Sequence, residues 1–220
     1  MAADGRPPAS ELEHFIETSL PLAPVPFVPE IRLHRAIATS GLHRLADADV
    51  RFGNPYWAYC WGGGLALARY VLDNREIVRE QRILDLGTGS GLVAITAALA
   101  GAAEVVAADV DPYAIAAAQL NAKTNGAAIT LHIGDLTRDN AGPSFDVILV
   151  GDLFYDRATA ARVIAFLRRG RSAGAVVLIG DPGRAFLPIE DLAPLATYHV
   201  SEASGAAHPS AKRSSVFRLR

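Results

Sequence analysis

Arg82-Ile83-Leu84-Asp85-Leu86-Gly87-Thr88-Gly89-Ser90-Gly91, followed by an apolar run over 92–100, is the stretch that decides the fold. Five residues that read as a buried strand pass into a glycine turn and then into a helix, which opens a strand–helix–strand unit. Glycines in such a turn let the backbone fold tightly and approach a ligand with no Cβ between them. The dinucleotide fingerprint G-x-G-x-x-G needs glycine at position 92, where the chain has Leu92, so a nicotinamide site is disfavoured. A glycine turn with no ligand is the other reading of this segment taken alone.

The same rhythm continues downstream. Residues 104–108 read as a second strand. Asp111-Pro112 then opens an alanine-rich helix that stops near Asn125-Gly126. Further strands fit 129–133, 145–150 and 175–179, with a helix over 158–167, and 197–201 with 215–219 read as a closing hairpin. Upstream, 61–79 has helical spacing, 11–20 fits a short helix, and 29–34 alternates like a strand. Between the last two, Pro21, Pro24, Pro26 and Pro29 forbid a long helix. The pattern predicts an N-terminal extension (1–50) and a doubly wound, mostly parallel seven-stranded α/β sheet (51–220). Ligands of such sheets bind beyond the C-terminal strand ends, near the point where strand order reverses.

Composition narrows the classes. The 220 residues carry 21 Lys+Arg against 23 Asp+Glu, a formal charge of −2, so the basic excess of a general nucleic-acid binder is missing. Cys60 is the single cysteine and cannot form an internal disulfide or a cysteine zinc site, which fits a reducing compartment. The histidines His14, His34, His43, His132, His199 and His208 lack paired ligand spacing, so no metal is expected. The N-terminus is not basic and no apolar run reaches the ~20 residues of a membrane span. A cytoplasmic protein with no membrane partner is expected. Heavy use of Ala and Arg, with lysine only at Lys123 and Lys212, reads as a GC-rich bacterial coding habit.

Candidate chemistry lies just after the strands. Asp109 can accept both hydroxyls of a ribose, or is simply an exposed strand-end acid; Asp111 reads as the cap of the helix opening at Pro112. In Gly151-Asp152-Leu153-Phe154-Tyr155-Asp156, a carboxylate can orient an amine and an aromatic can contact its alkyl stem. Helix capping by Asp152 or Asp156 is the plainer alternative. Asn54-Pro55-Tyr56-Trp57 reads as a turn leading to Trp61 and its three following glycines. Ser90 lacks the G-x-S-x-G frame of a nucleophile elbow.

The acid-led G-x-G-x-G of Asp85 to Gly91 resembles motif I of the class I methyltransferases that use S-adenosylmethionine. That resemblance implies that Asp85, Gly87, Gly89, Ser90 and Gly91 form the turn under the cofactor's amino-acid and ribose parts. It places Asp109 on the ribose, and Asp135 and Leu136 on the adenine, although an Asp135 turn bonding its own backbone is equally economical. It sets Gly151 and Asp152 before the methyl group and Trp61 over the cofactor's face, where core packing is the alternative. More narrowly, Pro29-Glu30-Ile31-Arg32-Leu33, Pro55-Tyr56-Trp57-Ala58, Ala68-Arg69-Tyr70, Gly151-Asp152-Leu153-Phe154-Tyr155-Asp156 and Leu178-Ile179-Gly180-Asp181-Pro182-Gly183-Arg184 are similar to the lysine methyltransferases of the electron transfer flavoprotein β subunit. Gly62 departs from the proline expected after the tryptophan. The resemblance implies methyl transfer to lysines of that flavoprotein, with S-adenosylhomocysteine as product and Asp152 and Tyr155 as catalytic residues. It also implies that the Asp181–Arg184 turn shapes the protein-substrate groove, unless it is a plain turn. Another protein or a small amine as acceptor, and a nicotinamide oxidoreductase, are the competing expectations.

Overall fold

In the computed structural model, which describes residues 9–37, 40, 42, 54–138, 144–201 and 211–220, the decisive strand lies in the middle of a seven-stranded sheet. That strand, β3 (Arg82–Leu86), is buried from Ile83 onward, Asp85 included, as a central parallel strand covered on both faces should be. Ahead of it come α1 (Ala9–Ser19), β1 (Leu22–Val25), β2 (Val28–His34) and α2 (Gly62–Asp73). After it follow α3 (Leu92–Leu99), β4 (Glu104–Asp109), α4 (Pro112–Thr124), β5 (Thr130–Ile133), β6 (Val147–Gly151), α5 (Arg157–Ser172), β7 (Val176–Asp181), β8 (Leu192–Ser201) and β9 (Ala211–Leu219).

The strand order is β5-β4-β3-β6-β7-β9-β8. β5 through β7 run parallel, and β9 inserts antiparallel between β7 and β8. Connections run outward from β3 in both directions, so the order reverses beside it and opens a crevice at its C-terminal end. Ile83, Val105, Val147, Leu149 and Leu178 face a core shared with α2 and α3. Leu84, Ile148, Val150, Val177 and Ile179 face the other side, under Ala160, Val163, Phe166 and Leu167 of α5. The doubly wound sheet is thus as expected.

The described part of the N-terminal extension shares the sheet's core. Val25, Val28, Ile31 and Leu33 of the antiparallel β1–β2 hairpin join the α2–α3 side. Leu12, Ile16 and Leu20 pack with Trp57 on Ala114, Ala117 and Leu120 of α4. Two amides on α4 complete the join. Asn121 Oδ1 accepts from His34 N at 2.8 Å, and the Asn125 side chain accepts from Arg32 N at 3.0 Å and donates to Arg32 O at 2.7 Å. The prolines do exclude a long helix, but β1 forms around Pro24, because a hairpin edge tolerates a residue without an N–H. β8 likewise extends back past Pro194, through an irregularity in its pairing with β9, well beyond the expected 197–201. His43, His208 and the loop between the last two strands lie outside the described residues.

Candidate active site

The crevice at the β3 end is organised by two acids. Asp85 is 1% exposed, and its Oδ2 accepts from Thr88 Oγ1 at 2.6 Å and from Ala94 N at 3.0 Å. α3 starts behind Gly91, which offers no side-chain cap, so Asp85 supplies from the neighbouring strand the acceptor that this helix start lacks. Burial pushes its carboxyl up to about 7 against the Thr88 and Ala94 bonds, with help from the charge of Asp109. Asp109, at the end of β4, accepts from Gly89 N at 2.9 Å and from Asp111 N at 3.0 Å. Burial raises its pKa as well. Each oxygen keeps a second lone pair that can take a hydroxyl. Asp111 caps α4 by accepting from Tyr113 N at 2.8 Å, as the sequence implies; burial, then Asp109, lift it to about 6.

At the β5 end the turn reading of Asp135 is realised. Its carboxylate accepts from the Thr137 N–H and hydroxyl and pairs with Arg138 at 3.1 Å, while Arg162 lies 3.8 Å away. Burial pushes this acid up, but the bonds from Thr137 and Arg138 outweigh it and hold the pKa below the usual range. Asp135 and Leu136 both still line the cleft.

The ends of β6 and β7 meet the first turn of α2 backbone to backbone. Gly151 and Gly180 are partners in register on these strands. A Cβ on Gly63 would lie 2.2 Å from Gly180 O, and one on Gly180 would lie 2.1 Å from Gly63 O. Only paired glycines permit this approach. It brings Gly64 N to 2.7 Å from Asp152 Oδ2, so Asp152 caps α2, whose own N-cap Trp61 makes no side-chain cap. Asp152 itself has φ +62°, a left-handed conformation costly for a residue with a Cβ, and is fixed by its N–H on Gly180 O at 3.0 Å. Its Oδ1 forms an ion pair with Arg184 Nη2 at 2.9 Å, out of line for a hydrogen bond. Burial pushes the Asp152 carboxyl up to about 7; Arg184 and the Gly64 and Gly63 N–H groups oppose the rise, and Asp181 adds to it. Asp156, two turns of chain later, is a plain cap of α5.

Aromatic rings wall this end. Trp61 donates its indole N–H to Tyr56 O at 2.8 Å, and its ring lies 5.9 Å from Tyr56 and 6.2 Å from Tyr59, centre to centre. Tyr155, half exposed, stands 6.4 Å from Tyr56.

These elements enclose one cleft of about 500 Å³, within the roughly 300–1,000 Å³ usual for small-molecule sites. Every site residue nominated from sequence lines it except Gly91. Gly91 turns away with φ +86°, and a Cβ there would sit 3.0 Å from Ala118 Cα, so it sets the packing of the loop on α4 and not a ligand contact. Two lining residues go beyond their reading from sequence: Tyr56, read as part of a turn, also walls the cleft, and Arg184, read as part of a protein-substrate groove or a plain turn, reaches in to Asp152. The signal for the second was the repeated Gly-Asp at 151–152 and 180–181 on strands that must be neighbours. Among the described residues no group of His, Cys, Asp and Glu could hold a metal ion, and no helix is long and apolar enough to cross a membrane.

Residues 66–153 match the family model described as ribosomal protein L11 methyltransferase. The electron transfer flavoprotein beta subunit lysine methyltransferase of Xenopus laevis is 41% identical over 199 residues, 88% of this chain and 78% of that protein. The Homo sapiens protein of the same description is 40% identical over 136 residues, 60% of this chain and 50% of its own length. Among solved structures, a 16S rRNA methyltransferase of Thermus thermophilus in complex with AdoMet and guanosine superposes with TM-score 0.55 at 18% identity, over 73% of this chain and 43% of that one, a likeness of fold.

Proposed function

For a chain that belongs to the electron transfer flavoprotein β-subunit lysine methyltransferases, we propose that the acceptor is a lysine side chain on the β subunit of an electron transfer flavoprotein. One observation carries the reading: a buried carboxylate, Asp152, sits at a strand end inside the cleft behind a wall of Tyr56, Trp61 and Tyr155. A single acid behind aromatic rings suits a long alkyl stem with a cationic tip.

The rest of the cleft fits S-adenosylmethionine better than a dinucleotide. A pyrophosphate at the start of α3 would meet the Asp85 carboxyl, which already takes the Ala94 N–H there, whereas a cationic ligand gains from that acid. Asp109 has lone pairs to spare for two ribose hydroxyls, and Asp135 and Leu136 would flank the base. When bound, S-adenosylmethionine supplies a methyl group already activated by its positive sulfonium. What remains for the protein is to place a neutral amine in line behind it. A lysine in water has a pKa of about 10.4, so presenting it unprotonated at pH 7 costs about 4.6 kcal/mol. Desolvation in the cleft mouth favours the neutral form, against the pull of the ring faces and of Asp152 toward the cation. Asp152 accepts an N–H from the amine and thereby aims its lone pair, and near pH 7 the same carboxylate can take up a proton.

The test is incubation of the chain with purified electron transfer flavoprotein and labelled S-adenosylmethionine, followed by mass mapping. Label on β-subunit lysines is expected. Label absent there but present on a small amine or another protein refutes the assignment.

A further inference from the structure

Asp152 is faced by few charges. From the turn after β7 come the guanidinium of Arg184 and the carboxyl of Asp181; from α2 come only the Gly63 and Gly64 N–H groups, and from the cleft mouth the neutral rings of Trp61 and Tyr155. Arg184 is held against Asp152 by the turn that carries it and by the Trp61 ring. Asp181 is fully buried, and its Oδ1 accepts from both Gly183 N and Arg184 N at 2.7 Å, which fixes the backbone of the turn. The guanidinium then lies on the Trp61 ring, 6.0 Å from its centre, with Nη2 against Asp152. Among the described residues, Arg184 Nε and Asp181 Oδ2 are buried with no hydrogen-bond partner, so the guanidinium is held by charge, from Asp152 and Asp181, and by the Trp61 ring.

We propose that Arg184 is a positioning residue, whose guanidinium favours the ionised Asp152 carboxylate and holds it toward the cleft while Asp181 anchors the turn that carries it. Its consequence for turnover rests on the lysine-methylation reading; the electrostatic claim does not. Burial and Asp181 push this acid up to about 7 even with Arg184 beside it, so without the guanidinium it would hold its proton at neutral pH and above. A protonated Asp152 keeps its bond to Gly64 through its carbonyl oxygen, but it offers the amine a donor in place of an acceptor. The alternative, that Arg184 lines a groove for the protein substrate, predicts a change in KM and leaves Asp152 untouched.

The measurement is a carboxyl-carbon NMR titration of Asp152 in the full chain, with no substrate, after calorimetry with S-adenosylhomocysteine has verified the fold of each variant. Arg184→Gln should raise the Asp152 midpoint by about 1 unit or more, as expected for losing a cation at ion-pair distance. Arg184→Lys should restore most of that shift, and Asp181→Asn, which keeps an acceptor for the turn, should lower the midpoint. In turnover, the acid limb of the rate profile should move with the NMR midpoint. An unchanged midpoint in Arg184→Gln, or Lys behaving like Gln, overturns the proposal. Correct midpoints with no methylation of the flavoprotein would instead overturn the substrate assignment alone.

Discussion

Gly63 and Gly64 are adjacent, both in the first turn of α2, yet alanine should act oppositely at the two. At Gly63 the new Cβ would lie 2.2 Å from Gly180 O, 2.6 Å from Gly180 C and 2.7 Å from Asp152 Oδ2. That carbonyl accepts from Asp152 N and cannot swing aside, so α2 must retreat by roughly an ångström to reach ordinary contact. The retreat strains the packing by about 1–3 kcal/mol and stretches the Gly64–Asp152 cap, worth about 1 kcal/mol. Helix propensity returns up to about 1 kcal/mol. The net loss of roughly 1–3 kcal/mol lowers the melting temperature by roughly 2–12 °C at this chain length. At Gly64 the nearest atom to a new Cβ is Asp152 Oδ2 at 3.8 Å, an ordinary contact, so the propensity gain stands and the melt should rise by about 1–4 °C. Thermal unfolding without ligand measures both. A Gly63→Ala protein that melts at or above the parent, or a Gly64→Ala protein that falls as far, refutes the claim that backbone contact between Gly63 and Gly180 builds this corner.

Three other outcomes are expected. Calorimetry with S-adenosylhomocysteine should show Asp109→Ala binding roughly 10- to 100-fold more weakly, from about 1–3 kcal/mol of lost hydrogen bonding, whereas Asp152→Asn binds within about twofold of the parent. Turnover of Asp152→Asn should fall at least about 100-fold; equal loss of binding in both variants contradicts the division of roles. Asp85, at about 7 in the folded chain, lies above the carboxylate range, so its stabilising proton uptake is complete below about pH 4 and is lost as pH rises through about 7. Asp111 and Asp152 act in the same direction, while the lowered acids Glu30, Asp135 and Asp156 titrate below this window. Urea midpoints should therefore be lower at pH 8 than at pH 5, and Asp85→Asn should narrow the gap; an unchanged gap would exclude Asp85 as a source. Asn121→Ala should cost about 2–4 kcal/mol, because it strips partners from Ser90 O and His34 N, and should speed amide exchange at His34.

The sheet was legible because its signals are local. β3 matches its expected bounds to the residue, and Asp111-Pro112 starts α4 as written, since a capping acid and an N1 proline act within one turn. Asp109 and Asp152 were found because a parallel sheet delivers its strand ends to one edge. What stayed hidden depends on contacts across the chain. Nothing local tells Gly91, which spaces the loop from α4, from Gly89, whose N–H binds Asp109. Arg184 is 32 residues from Asp152 in sequence, and only the pairing of β6 with β7 brings them together. β1 and the early part of β8 carry prolines, Pro24 and Pro194, and no clear alternation in sequence; only their pairing at sheet edges, where a missing N–H is tolerated, makes them strands.

Asp85 and Asp152 do the same structural task at two corners of one cleft. Each is a strand-end acid that accepts from the third N–H of a helix whose own N-cap has no acceptor to give. The arrangement ties chemistry to folding. With Oδ2 fixed on Gly64 and the backbone held at φ +62°, the direction of Asp152 Oδ1 is settled by the docking of α2 and not by a free side-chain rotation. A glutamate at this position would have to give up either the cap or the cleft, because its extra methylene separates the two oxygens from the strained backbone that aims them. Asparagine keeps the cap and loses the charge. Comparing Asp152→Glu with Asp152→Asn therefore separates geometry from charge: if the acid must be both aimed and ionised, Asp152→Glu should lose turnover although it remains a carboxylate, and a fully active Asp152→Glu would show that a carboxylate in the cleft suffices however it is held.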